Sequence, residues 1–205
     1  MTDGESDEAI LRDGTSVTIR RVRLDDRGSL IDLFRRMSPM SVRHRFFSAK
    51  RELLDSDLQY LTSGSPDVAL VATAQRSLDD HVLGLGRYVV LPGVPRIAEV
   101  AFDVGDPDQG RGLGTLLLEH LAQIARTRDI TAFRAEVEAD NPQMLEVFRQ
   151  SGFIIRQSLD GPVFHVDIPI EDTARFAAAT ATRERTAAAA AAAAAAAPRD
   201  LGDGI

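Results

Sequence analysis

Residues 109–114 read Gln-Gly-Arg-Gly-Leu-Gly, and a long amphipathic helix pattern starts immediately after them. Glycines at alternate positions, Gly110, Gly112 and Gly114, let the backbone approach a bulky ligand closely, because no Cβ stands in the way. The first turn of the following helix, with Leu113 and Thr115, offers unpaired N–H groups and the positive end of its dipole. Together these features suit a diphosphate. Just upstream, residues 97–104 read Ile-Ala-Glu-Val-Ala-Phe-Asp-Val, a strand that carries Glu99 within an apolar run. A strand bearing an acid and feeding a phosphate-binding helix has the layout of an acyl-transfer site.

Two nucleotide readings fail on spacing. A P-loop needs Gly-x-x-x-x-Gly-Lys-Ser/Thr, and the single lysine of the chain, Lys50, lies far from the loop. The dinucleotide fingerprint needs Gly-x-Gly-x-x-Gly, whereas the glycines here are spaced Gly-x-Gly-x-Gly. A glycine turn that only caps a helix is the remaining alternative.

The loop resembles the acetyl-CoA signature of the Gcn5-related N-acetyltransferase (GNAT) family, Gln/Arg-x-x-Gly-x-Gly/Ala, which Gln109-Gly110-Arg111-Gly112-Leu113-Gly114 matches at every specified position. The resemblance extends over residues 16–170. It includes Asn141-Pro142-Gln143-Met144-Leu145-Glu146-Val147-Phe148, followed by Gly152-Phe153, which is similar to the family's Asn…Gly-Phe segment. Leu11-Arg12-Asp13-Gly14-Thr15 and Arg45-Phe46-Phe47-Ser48 are similar to bacterial protein-lysine acetyltransferases, in which this domain is often fused to another.

The resemblance implies acetyl-CoA as co-substrate and a protein lysine or a small amine as acceptor. It implies that Gln109 through Thr115 hold the diphosphate by main-chain N–H groups, with Arg111 adding charge. Asn141 would cap the next helix and bond the pantetheine arm. A β-bulge at the end of the Glu99 strand, around Phe102 and Val104, would supply an oxyanion donor. Glu99 would be the general base, often through a water, its pKa raised by apolar neighbours. Glu136 and Glu138 are rivals that alternate with Val137 and so should face solvent; the structural alternative for Glu99 is that it faces solvent or pairs with an arginine such as Arg87. One position departs from the family. Many relatives carry a tyrosine that protonates the leaving thiolate where Phe148 stands here, so a module that binds acyl-CoA with little turnover is the second reading.

Bulk properties set the frame. A chain of 205 residues suits one domain with a tail. Cysteine is absent, which excludes disulfides and thiolate chemistry. His44, His81, His120 and His165 show no ligand spacing, so no metal is expected. A net charge of −7 argues against nucleic acid and is compatible with a cationic amine. No apolar run is long enough to span a bilayer, and no secretory leader pattern is present. A cytoplasmic location follows as the default, and a homodimer is left open.

The elements that must position these residues follow from periodicity. Residues 1–15 are expected to be flexible, being polar and acidic. An edge strand is expected over 17–23, then helices over 26–37, over 38–47 and from Asp55. Strands over 68–74, 82–91 and 97–104 form a meander, with a turn over 75–81. A helix over 112–127, a strand over 131–137, a helix over 141–151 and strands over 153–156 and 163–168 complete β-α-α-β-β-β-α-β-α-β-β. The fold class is α/β (α+β): a mixed, mostly antiparallel sheet with helices on both faces. Residues 171–205, with an alanine run over 187–197, are expected to be a disordered or marginally helical tail.

Overall fold

Strand alternation writes the sheet. In β6 (Ala132–Glu138) Phe133, Ala135 and Val137 are buried, while Arg134 and Glu136 are exposed. Central strands have no solvent face. In β3 (Val68–Arg76) Leu70 and Ala72 enter one core and Ala69 and Val71 the other, so the strand reads as an unbroken apolar run. The computed structural model describes residues 6–62, 68–76 and 79–196. In order, the remaining elements are β1 (Ser6–Ile10), β2 (Ser16–Arg21), α1 (Arg27–Arg35), α2 (Pro39–Phe46), α3 (Asp55–Thr62), β4 (Asp79–Val90), β5 (Ile97–Val104), α4 (Leu113–Arg126), α5 (Pro142–Gln150), β7 (Arg156–Asp160), β8 (Val163–Pro169) and α6 (Ala174–Ala196).

The strands form one sheet in the order β1-β2-β3-β4-β5-β6-β8-β7. Every pair is antiparallel except β5 with β6. That parallel pair is short: Ile97↔Ala132, Ala98↔Phe133 and Glu99↔Arg134 are its full register. Beyond Glu99 the two strands run on without pairing, so the sheet opens into a V. The larger core, with Leu117, Leu121, Phe133 and Phe148, lies on the α4–α5 face; the smaller one, with Leu30, Leu33 and Leu58, lies under α1 and α3.

The mixed sheet with helices on both faces is as expected; four local expectations are corrected. Residues 6–10 are not flexible but form an edge strand against β2, from Ser6↔Arg20 to Ile10↔Ser16. β2 is therefore an interior strand, also paired with β3. The strand expected over 153–156 begins at Arg156 instead, because Phe153 is spent on the core. The tail helix α6 docks: Phe176 stacks on Phe153 at 4.4 Å between ring centroids, Arg126 lies over the Phe176 ring at 5.5 Å, and Arg183 pairs with Glu119. The expectations for residues 1–5 and 197–205, and the centre of the 75–81 turn at 77–78, lie outside the described residues.

A buried ion pair fastens β2 to the start of α1. Arg20 donates from Nη1 and Nη2 to both carboxylate oxygens of Asp26, at 2.8 and 2.7 Å, and the two side chains are 8% and 6% exposed. Burial pushes the Asp26 carboxyl up, but Arg20 and the Arg23 N–H outweigh it and hold it below its ordinary value of 3.8. A depressed folded-state pKa contributes stability above the unfolded pKa, and that contribution is lost as pH falls through the folded value. Asp26→Asn strands the Arg20 charge and is expected to cost about 3 kcal/mol near neutral pH. In urea melts its deficit should narrow below pH 4, where the wild-type chain loses the same term. A deficit that stays constant from pH 7 to 3 contradicts this.

Candidate active site

The V between β5 and β6 becomes a cleft of about 820 Å³. This falls within the usual range for small-molecule sites. Its walls come from β5, β6, the loop before α4, α2 and α5. Of the residues expected at the site, Glu99, Phe102, Val104, Gln109, Gly110, Gly112, Leu113, Gly114, Thr115, Asn141 and Phe148 all line it.

The exception is Arg111. Its Nε donates to Asp13 Oδ2 at 2.6 Å, Nη1 to Asp108 Oδ1 at 2.8 Å and Nη2 to Thr15 Oγ1 at 2.7 Å. Asp108, 1% exposed, is held from the other side by Arg36 Nη1 at 3.0 Å. Arg111 thus clamps the loop from behind, and its side chain does not line the cleft.

The loop is shaped by backbone conformation. Gly112 is the N-cap of α4 with φ +93° and no side-chain cap, and Gly110 has φ +75°. Both lie in the left-handed region, where a Cβ is strained. With no capping side chain, the N–H groups of Leu113, Gly114 and Thr115 are left open at the positive end of α4. Gln109 ties the loop to its neighbours, its Nε2 donating to Val104 C=O (3.3 Å), Asp106 Oδ1 (3.2 Å) and Ser41 Oγ (3.3 Å). Burial pushes Asp106 up, but the hydroxyls of Ser41 and Ser38 hold it below the ordinary carboxylate range, so it stays an acceptor for this knot.

Main-chain phase decides what β5 offers the cleft. Leu91 N–H donates to Ile97 C=O and Gly105 N–H to Leu83 C=O. Pairing between these points is continuous, from Gly84↔Val104 to Val90↔Ala98. The odd-numbered residues of β5 therefore turn their N–H and C=O groups to β4. Val100, Phe102 and Val104 turn theirs toward the edge that β6 has left. The expected bulge at Phe102–Val104 is corrected: the register shift lies between β3 and β4, at Ala72/Thr73. Divergence of two parallel strands, not a bulge, opens this edge, along which the Val104 C=O is taken by Gln109 Nε2.

Side-chain phase decides the setting of Glu99. Ala98 and Val100 are buried, while Glu99 is exposed and lines the cleft. The apolar surroundings expected from its sequence neighbours are thus on the opposite face of the sheet. No ion pair joins it to Arg87 among the described residues; Arg87 lies over the Tyr60 ring at 5.1 Å. Of the rivals, Glu136 is exposed on the cleft and sits 3.6 Å from His165, while Glu138 is half-buried and 3.3 Å from Arg43. Phe148 is 1% exposed, edge-on to Phe102 at 6.4 Å. No tyrosine lines the cleft among the described residues. Asn141 caps α5, Oδ1 accepting from Met144 N–H at 3.1 Å, and Pro142 occupies the first turn.

The fold adds residues that sequence spacing hid. α2 brings Ser41, His44 and Arg45 to the wall. His44 Nε2 lies 3.1 Å from Asp140 Oδ1 and 3.9 Å from Glu138 Oε2, a grouping of metal-ligand type. Arg43 pairs with both acids and supplies a cation in that place. Its effect is to pin α2 to the far end of β6, across the mouth of the V. Arg12, from the turn between β1 and β2, also lines the cleft.

The family model described as Acetyltransferase (GNAT) family matches residues 30–153. Acetyltransferase Pat of Mycolicibacterium smegmatis is 38% identical over 81 residues, 39% of this chain, and the match spans 24% of the length of Pat. The GNAT domain of S. lividans PAT superposes with a TM-score of 0.72 at 31% identity, covering 80% of this chain and 96% of that one. The yncA structure from Salmonella typhimurium, with its cofactor acetyl-CoA, shares the fold at 18% identity and a TM-score of 0.60, covering 77% of this chain and 96% of that one. Among the described residues no helix is long and apolar enough to cross a membrane. The strand–loop–helix cleft and these matches lead to one assignment: the chain belongs to the acetyltransferase (GNAT) family, and its folded body is an N-acetyltransferase domain.

Proposed function

We propose that the protein transfers an acetyl group from acetyl-CoA to a primary amine, with a protein lysine as acceptor and Glu99 as general base. The observation that carries this reading is the coincidence, in one cleft, of open main-chain amides at the start of α4, the opened strand edge of β5 and the exposed Glu99 carboxylate. The donor supplies an acetyl group activated as a thioester. The protein supplies the rest. The amides of residues 112–115 suit the diphosphate. The edge of β5 at Val100, Phe102 and Val104 suits the amide-bearing pantetheine arm and leaves an N–H for the carbonyl oxygen as its charge grows.

A lysine amine has a pKa near 10.4, so only about one in 2,500 is neutral at pH 7. A base beside the attacking nitrogen raises the rate by about 10²–10⁴-fold. Glu99 is open to the cleft and can take that proton, directly or through one water. Glu136 lies on the facing strand, so the β5 and β6 walls are acidic and favour an ammonium arriving from solution. With Phe148 carrying no hydroxyl, the sulfur leaves as thiolate, which a thiol pKa near 8.5 permits. Cytoplasmic action belongs to the same reading, since the donor is a metabolite of that compartment.

Phe148 is also what favours a second reading, an acyl-CoA-binding module with little turnover. Thiol release from acetyl-CoA in the presence of lysine-containing peptides, read together with mass shifts on the peptides, separates the two. Acceptor-dependent release with a 42 Da gain on lysine (an expected mass of about this size for one acetyl group replacing a proton) supports transfer. Tight acetyl-CoA binding with no release supports the module.

A further inference from the structure

We infer that Arg12, on the β1–β2 turn, is the cation that meets the phosphates of the bound coenzyme, and that α6 holds it there; this rests on the acetyl-CoA reading above. The loop's own arginine is turned away from the cleft, its guanidinium bonded to Asp13, Asp108 and Thr15 and two of its three partners being carboxylates that balance its charge. What Arg111 does instead is bring the β1–β2 turn to the loop. Asp13 and Thr15 belong to that turn, and Arg12 N–H donates to Arg111 C=O at 3.1 Å. The residue so delivered lines the same cleft as Gly110, Gly112 and Gly114.

Among the described residues Arg12 has no carboxylate partner: its side chain donates from Nη2 to a neutral amide oxygen, Gln150 Oε1, at 2.7 Å. The nearby Arg183 guanidinium, held by Glu119 and by Gln150 C=O at 2.5 Å, adds like charge: burial, then Arg12, push its pKa down against the pull of Glu184. A multiply charged anion at the start of α4 relieves that repulsion and adds charge-assisted hydrogen bonds.

The tail helix fixes the turn from outside. Gly14 has φ +86°, and a Cβ built on it would lie 2.8 Å from Ala191 N and 2.9 Å from Ala190 C. The alanines pack here because they are small: the turn needs a flat helix surface, and the alanine run provides one.

The test is calorimetric titration of the full chain with acetyl-CoA, 3′-dephospho-acetyl-CoA and S-acetylpantetheine. Arg12→Gln should weaken acetyl-CoA about tenfold, one charge-assisted contact's worth, and leave S-acetylpantetheine unchanged. Arg12→Lys should recover part of the loss. If the loss persists with the dephospho analogue, the contact is to the diphosphate; if it disappears, the contact is to the 3′-phosphate. Gly14→Val, which breaks the clasp, should reproduce the Arg12→Gln loss for acetyl-CoA. Wild-type binding of acetyl-CoA with Arg12→Gln equally tight overturns the inference and leaves the proposed function standing. A wild-type chain that binds none of the three overturns the function itself.

Discussion

Replacing Glu99 by Gln should lower kcat for amine acetylation by about 10²–10⁴-fold while the Kd for acetyl-CoA stays within twofold of wild type. Glutamine keeps the size and hydrogen-bonding reach of the side chain and cannot accept a proton. The split between kcat and Kd is expected because Glu99 faces the open cleft, whereas the groups suited to the cofactor are main-chain amides of residues 112–115 and the edge of β5. Glu136→Gln is the control: Glu136 shares the cleft but sits against His165, and its loss should alter kcat less than about threefold, a small fraction of a base's effect. Raising the pH should restore part of the Glu99→Gln rate, since a larger share of the amine is then neutral. Turnover retained by Glu99→Gln across the pH range removes Glu99 from the reaction.

The second large effect is on the tail. Phe176 is 8% exposed and stacked on Phe153 at an interplanar angle of 9°, with Arg126 over its other side. An alanine-rich helix has few side chains with which to dock, so this ring and the Arg183–Glu119 pair carry the attachment. Phe176→Ala should cost about 3 kcal/mol of docking. Limited trypsin digestion should then cut after Arg183 and Arg185 on the order of 100-fold faster, because cleavage tracks the population of the opened helix. The same variant should bind acetyl-CoA more weakly, through the β1–β2 turn that α6 braces. Unchanged cleavage shows that α6 is held by something else.

How much of this was legible depends on whether a feature is local in sequence. The Gly110–Gly112–Gly114 loop, the α4 periodicity and the Asn141–Pro142 start of α5 are written in consecutive residues, and the structure has them at their expected places. The V of the sheet is not, because it depends on which strand β6 pairs with after Arg134; it leaves β5 and continues along β8 to Glu138↔Val163. The exposure of Glu99 follows from period-2 alternation, but its apolar neighbours suggested burial until Ala98 and Val100 were seen to face the other way. The bonds that hold Arg111 are not legible locally, because its partners Asp13 and Thr15 lie almost a hundred residues upstream.

Two further features are local in sequence. Asp13-Gly14 between residues 6–10 and 16–21 is a hairpin turn dipeptide, and Thr18 Oγ1 donating to Glu8 Oε1 at 2.8 Å shows how polar residues serve on an edge strand. Within the tail, Phe176 and Arg183 stand out against alanine as the side chains able to anchor it. Composition averages over a segment; anchoring depends on single residues.

The central claim is that the main-chain amides opening α4 hold the diphosphate of a coenzyme A thioester. An amide-resolved nuclear magnetic resonance titration of the full chain with acetyl-CoA tests it at the atoms concerned. Saturable shifts are expected at Gly110, Gly112, Leu113 and Gly114, with smaller ones along β5 at Phe102 and Val104. A folded chain whose amides at these positions stay unmoved at millimolar acetyl-CoA contradicts it.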